Sequence, residues 1–249
     1  MTSLTASEQS IVRKRSSLAF TNFKRAANVG KIYLIMSIAI SIFISIEFLA
    51  VNSLGAASTN AVPSVISSLP ALILPAFTVI GSFGSLMIFV SDKDKGVYEY
   101  LIAYGVNTSK LFWSIVLATI GLVSIVLCLD VAINLGIAVV SGTVTLRYVE
   151  LLIFYVVPIS YAVSIFMSMV GMIWSFLATR RTGINSPVGI VSIIGIVPVF
   201  AVLFVSLILP PGFTIIFAGL VSLSLFAIVG LLVRVSSTKM VRERFLSNA

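Results

Sequence analysis

The sequence predicts an all-α polytopic membrane protein with six transmembrane helices and both termini in the cytoplasm. Of its 249 residues, 59% are hydrophobic and 10% are charged, whereas a soluble domain carries about a quarter charged residues. A membrane span needs about 20 apolar residues, and stretches of that length recur along the chain. All sixteen Lys and Arg residues except Arg147 fall in the two tails and in the second and fourth connections. Because Lys and Arg near span ends are retained in the cytoplasm, this asymmetry fixes the orientation.

The spans are bounded by the charged or turn-forming segments. We place them at Ile32–Gly55, Leu69–Val90, Leu111–Val140, Tyr148–Leu177, Val188–Leu209 and Phe213–Val233. The chain then divides into a cytoplasmic tail with an interfacial helix at 1–31, a transmembrane domain at 32–233 and a cytoplasmic tail at 234–249. The expected location is the plasma membrane. A re-entrant turn near Pro210 is an open alternative within Val188–Val233, because non-helical backbone is tolerated where protein buries it.

The segment before the first span is amphipathic. On a helix over Ile11–Gly30, one side is apolar and the other carries the positive charges. The apolar side comprises Leu18, Ala19, Phe23, Ala26 and Ala27, and the basic side comprises Arg13, Lys14, Lys24 and Arg25. This arrangement is typical of a helix that lies in the cytoplasmic interface of the bilayer. A loose basic tail that only orients the first span is the alternative.

Composition excludes several functions. The net charge of +8 does not indicate nucleic-acid binding, because the basic residues lie beside span ends, where orientation and anionic lipid headgroups account for them. The chain has no histidine, and its single cysteine, Cys128, lies inside the third span. This excludes an intrachain disulfide, Cys-rich metal sites and His-dependent catalysis. We therefore expect no metal, no cofactor and no catalytic site in this chain.

The second connection, 91–110, is the most charged internal segment. Asp94 is placed to cap a short helix, and Gly105 is placed to end it in a left-handed conformation. The helix has an apolar face formed by Val97, Tyr98, Leu101 and Ile102. Asn107 or Thr108 is placed to cap the start of the third span. Two interpretations stay open: the apolar face docks into a groove of a partner protein, or it lies against the bilayer or the bundle.

This segment resembles a motif of the membrane permeases of type-2 ABC transporters, the exporter-like class with six spans per subunit. The motif of that family is matched by four features in order: the charged run Asp92–Lys95, Gly96, Glu99 and the apolar stretch Leu101–Ala103. Polar residues and Lys110 complete the motif. Val97 replaces the usual threonine and Gly105 the usual proline. The amphipathic lead-in and the six spans extend the resemblance over nearly the whole chain.

The resemblance implies a function for this segment. Permeases of this family pair as dimers, with a second copy or a homologue, and work with two cytosolic ABC ATPase subunits, which bind ATP and Mg. The present chain has no Walker-type loop, so we expect it to be a membrane subunit without its own ATPase site. Residues of the connecting helix would transmit the movement of the ATPase: Asp94, Gly96, Val97, Tyr98, Glu99, Leu101, Ile102 and Gly105.

Two acids lie well inside predicted spans, Glu47 in the first and Asp130 in the third. A charged side chain at the bilayer centre costs roughly 3 kcal/mol on insertion scales, so the pair is a candidate intramembrane polar or ion site. The alternative is structural, because Asp130 lies roughly 30 Å along a helix from Lys110. That distance places Asp130 toward the outer end of its span, as the position of Glu47 does in the first span. On this interpretation both acids reach water at the outer surface of the membrane, or one of them pairs with Arg147.

The competing function is a self-contained secondary transporter or channel. Such a protein needs polar groups near the membrane midplane, and the sequence offers few. The sequence does not identify the substrate.

Overall fold

Helices make up all the regular secondary structure that the structure, a computed structural model, describes. It describes residues 18–56, 64–140, 142, 144–177 and 211–236, and the isolated positions 197, 200, 201, 204 and 208. We number the α-helices in chain order: α1 Leu18–Ala56, α2 Ser64–Gly81, α3 Phe83–Asp94, α4 Val97–Ala103, α5 Thr108–Val140, α6 Leu146–Leu151, α7 Val157–Leu177 and α8 Pro211–Ser236. A π-helix, Leu152–Val156, joins α6 to α7.

Five helical stretches are long and apolar enough to cross a membrane. They are Leu18–Glu47, Ala71–Ile88, Thr108–Val140, Leu146–Ile173 and Phe213–Val235. These stretches correspond to predicted spans one, two, three, four and six. Predicted span five, Val188–Leu209, lies outside the described residues except for isolated helical positions, as do Arg180 and Arg181. The all-helical prediction is confirmed for the described part of the chain.

The first helix is longer than predicted. Leu18–Gly30 is not a separate helix but forms the first turns of α1, which runs for 39 residues without a break. Ile11–Ser17 lies outside the described residues. The inner side of this segment faces protein, since Ala26 is fully buried and Phe23 packs against the bundle core.

Two apolar clusters fill the bundle. The Tyr155 cluster includes Leu74, Leu86, Leu127, Tyr155 and Ile159. The Phe112 cluster includes Ile88, Tyr98, Ile102, Phe112 and Met169. Some helices contribute residues to both clusters, and along such a helix the members of one cluster are followed within a few residues by members of the other. The two clusters are therefore stacked along the bundle.

Hydroxyl groups pair across helices near the boundary of the two clusters. Ser82 Oγ donates to Ser164 Oγ at 3.0 Å, and the oxygens of Ser85 and Ser168 lie 3.1 Å apart. The oxygens of Ser124 and Tyr161 lie 2.7 Å apart. We call these three pairs the hydroxyl belt. Interhelical hydrogen bonds and small side chains are the usual means by which membrane helices associate closely.

The second and fourth spans are interrupted at defined points. Pro75 lies within α2 without ending it, and the interruption falls at Ser82, between α2 and α3. In the fourth span the π-helix ends just before Pro158. Proline has no N–H to offer the carbonyl of Phe154, so the hydrogen-bond ladder rearranges at this point. The interruption of the fourth span therefore lies beside Pro158, whereas Pro198 lies outside the described residues.

Candidate functional site

The predicted connecting helix is present as α4, but its start differs from the prediction. Asp94 is the last residue of α3, and Gly96 is the N-cap of α4, with φ of 70° and no side-chain cap. The assignment of Asp94 as the cap is therefore wrong. The physical reason is that the second span continues as helix up to Asp94, so the chain must reverse within Lys95 and Gly96, and glycine adopts a positive φ without steric cost.

The end of α4 follows the prediction. Gly105 has φ of 82°. Its N–H donates to the carbonyl of Ile102, and the N–H of Val106 donates to the carbonyl of Leu101, both at 3.0 Å. This pair of bonds is the Schellman motif, which satisfies the last carbonyls of a helix. Asn107 then caps α5, because its Oδ1 accepts from the N–H of Ser109 at 2.9 Å.

The apolar face of α4 is turned toward the bundle. Tyr98 and Ile102 are each 1% exposed and belong to the Phe112 cluster. Val97 and Leu101 are partly buried, and Leu101 packs against the same cluster. Of the two interpretations, packing against the bundle is the one the structure shows. An apolar face of α4 is therefore not free to enter a groove of another protein.

The outer side of α4 carries two tyrosines instead. Tyr100 is 60% exposed and Tyr104 is 72% exposed, and their ring centroids are 4.3 Å apart. A hydrogen bond to Tyr104 raises the pKa of Tyr100 above its ordinary value. We call this exposed pair the tyrosine patch. The backbone of Glu99 lies on the same helix, whereas its side chain, like that of Asp94, lies outside the described residues.

An ion pair joins the start of α1 to the end of α3. The two guanidinium nitrogens of Arg25 donate to the two carboxylate oxygens of Asp92, at 2.8 and 2.5 Å. The Asp92 side chain is 2% exposed and that of Arg25 is 46% exposed. A bidentate pair of this kind is geometrically specific. It holds the last turn of α3, just before the Gly96 turn, against α1.

The structure separates the two predicted intramembrane acids. Glu47 is exposed on α1, whereas Asp130 on α5 is 0% exposed. The expectation that Asp130 reaches water or pairs with Arg147 is wrong, since Arg147 is exposed and the partners of Asp130 are hydroxyls from α1 and α2. The reason is that α5 packs along both of these helices at this depth and encloses the carboxyl.

Asp130 lies in a cluster of polar side chains. Ser37 Oγ and Thr78 Oγ1 each lie 3.3 Å from its Oδ2. One turn further along α5, Asn134 donates to Ser41 Oγ and to the carbonyl of Asp130, both at 2.8 Å. Ser45 Oγ lies 2.6 Å from Asn134 Oδ1. We call these residues the Asp130 cluster. It joins α1, α2 and α5 in the interior of the bundle.

Sequence reasoning missed the partners of Asp130, although a signal was present. Ser37, Ser41 and Ser45 recur at every fourth residue of the first span, and that spacing places them on one face of a helix. All three are buried. Ser160, Ser164 and Ser168 repeat the pattern on α7 and are also buried. A serine stripe at helical spacing in a membrane span therefore indicates an interhelical contact surface.

No protein-family model matches this chain, and the comparisons with curated proteins and with solved structures found no match.

Proposed function

We propose that this chain is the transmembrane permease subunit of an ATP-driven transporter of the exporter-like type, working with separate ABC ATPase subunits. The motif around Gly96 and Glu99 and the one-sided charge of the loops support this assignment. The observation that carries it is the way in which α4 is held. Both its ends are fixed by left-handed glycines and its inner face belongs to the bundle core.

In this proposal the tyrosine patch is the contact surface for the ATPase, because it is the exposed side of α4. A push on Tyr100 or Tyr104 would be transmitted through a helix of about two turns to Tyr98 and Ile102, which share the Phe112 cluster with residues of α5 and α7. The Arg25–Asp92 ion pair joins the same region to α1. Movement of the partner would therefore reach three spans. Substitutions of Val97 or Leu101 by Asp would disturb the bundle first and would not isolate the contact.

The test is crosslinking in a background in which Cys128 is replaced by Ala. We expect a cysteine in place of Tyr104 to crosslink to a copurified ABC ATPase subunit, and the Tyr100→Ala, Tyr104→Ala variant to reduce transport-coupled ATPase activity at least several-fold while its thermal stability is kept. Leu146→Cys is the matched control, since Leu146 is 79% exposed at the opposite end of α5. Absence of any ABC ATPase from the purified complex would contradict the proposal.

The Asp130 cluster favours a second candidate, a self-contained secondary transporter driven by an ion gradient. Buried ionisable groups inside a membrane bundle often mark ion pathways. Reconstitution of the chain alone into vesicles discriminates the two. Gradient-driven solute flux without an ATPase subunit would support the second candidate, and flux only after addition of the ATPase and ATP would support the first.

A further inference from the structure

Two of the hydroxyl groups around Asp130 each have a second acceptor besides its carboxyl. A serine or threonine hydroxyl has one proton to donate. Ser37 Oγ lies 2.8 Å from the carbonyl oxygen of Phe77 and 3.3 Å from Asp130 Oδ2. A backbone carbonyl can only accept, and its distance is the shorter one. The single Ser37 proton therefore cannot serve both acceptors at once, and the shorter distance favours the Phe77 carbonyl.

Thr78 repeats this geometry from another helix. Its Oγ1 lies 3.2 Å from the carbonyl oxygen of Leu74 and 3.3 Å from Asp130 Oδ2. Donation to the carbonyl one turn earlier is the common arrangement of threonine in a helix. Each hydroxyl therefore shares its one proton between a backbone carbonyl and Asp130 Oδ2, so Ser37 and Thr78 satisfy a carboxylate only in part.

We propose that the carboxyl of Asp130, which is fully buried beside the neutral hydroxyls of Ser37 and Thr78, is a proton-binding site. A neutral carboxyl accounts for Oδ1, which is buried and has no hydrogen-bond partner within the part of the chain that the structure describes. An unpaired oxygen of a neutral group is much less costly in the interior than an unpaired oxygen of a carboxylate. The site closes only when α1, α2 and α5 are packed together, so proton binding and the packing of these helices are linked.

No positive charge compensates a carboxylate at this position within the described side chains. The groups that face Asp130 from α1 are the hydroxyls of Ser37 and Ser41, and from α2 the hydroxyl of Thr78. The titratable groups elsewhere on the packed helices have other positions. On α1, Arg25 is paired with Asp92 of α3, Tyr33 packs on Phe83 and Glu47 is exposed, and the other titratable groups of this helix are Lys24 and Lys31. On α5, Lys110 and Cys128 are exposed. Tyr155 of the π-helix is bonded to the Leu72 carbonyl and Tyr161 of α7 belongs to the hydroxyl belt, and the remaining groups are Arg147, Tyr148 and Glu150 on α6 and Arg234 on α8.

The test is infrared spectroscopy of the purified full chain in lipid nanodiscs. At pH 7 we expect the wild type to show the C=O stretching band of a protonated carboxylic acid and the Asp130→Asn variant to lose it. Glu47→Gln is the matched control and should keep the component of the band that Asp130→Asn removes, because Glu47 lies outside the Asp130 cluster. Thr78→Val and Ser37→Ala should shift the band, since each removes a hydrogen-bond partner of the acid.

Thermal unfolding supplies a second readout that needs no ATPase partner. The folded state holds a proton that the unfolded chain releases at neutral pH, so raising the pH should lower the unfolding temperature of the wild type. The Asp130→Asn variant should lack that dependence. Absence of the acid band in the wild type would overturn the proposal, and stabilisation by Na⁺ at fixed pH that is lost in Asp130→Asn would replace the proton with a metal cation. Neither outcome would decide whether the chain works with an ATPase.

Discussion

At the scale of single residues, two glycines allow a close contact between α1 and α3. A Cβ on Gly84 would lie 2.3 Å from the Cα of Gly30, and a Cβ on Gly30 would lie 2.8 Å from the Cα of Gly84. Both partners are backbone atoms, which cannot rotate away. Close backbone approach at small residues is the main source of packing between membrane helices. The crossing of α1 and α3 therefore depends on the absence of both side chains.

We expect Gly84→Ala to destabilise the protein by about 1–3 kcal/mol, the usual cost of an overpacked core. Thermal unfolding in detergent measures the effect. Gly136→Ala is the matched control, because nothing lies within 4 Å of a Cβ at that helical position. A Gly84→Ala variant as stable as Gly136→Ala would contradict the close crossing of α1 and α3.

At the scale of elements, α4 is a seven-residue helix that depends on its ends. A helix of this length is marginal in water, so its packing and its caps must hold it. Gly105→Ala places a Cβ in a left-handed conformation, which costs roughly 1–2 kcal/mol. We expect the free energy of unfolding of the Gly105→Ala variant to fall by this amount. We expect Gly105→Asn to lose less, because asparagine tolerates this conformation.

Gly219→Ala controls for the general effect of adding a methyl group, since Gly219 is helical and has open space around it. Equal stability of the Gly105 and Gly219 alanine variants in the same unfolding assay would show that the left-handed end of α4 does not form.

At the scale of the whole molecule, the Arg25–Asp92 ion pair connects the beginning of the chain to the turn before α4. Arg25→Ala leaves the Asp92 carboxylate buried without its partner. We expect a loss of about 1–3 kcal/mol in the free energy of unfolding. The Arg25→Ala, Asp92→Asn double variant should recover part of the lost free energy of unfolding, because the buried charge of Asp92 is then removed. Lys24→Ala, at an exposed neighbouring position, should have little effect on unfolding. A double variant that is less stable than Arg25→Ala would contradict this account.

The sequence predicted features that depend on local patterns. The apolar stretches located five helical spans, and Gly105 marked the end of α4, because each signal lies within a few neighbouring residues. Contacts between distant residues were not predictable in the same way. The orientation of Tyr98 and Ile102, the partners of Asp130 and the Gly30–Gly84 crossing depend on how helices meet. The sequence pattern of a hydrophobic helix face is the same whether that face contacts lipid, its own bundle or another protein.

The position of Asp130 also bears on biosynthesis. Its partners Ser37 and Thr78 lie on helices that are made before α5. A carboxyl that entered lipid alone would cost roughly 3 kcal/mol on insertion scales. If α1 and α2 remain beside the insertion machinery, α5 can enter the bilayer against hydroxyls that are already in place. The order of the three helices in the chain is therefore compatible with co-translational assembly, in which α5 packs against α1 and α2 as it enters the bilayer.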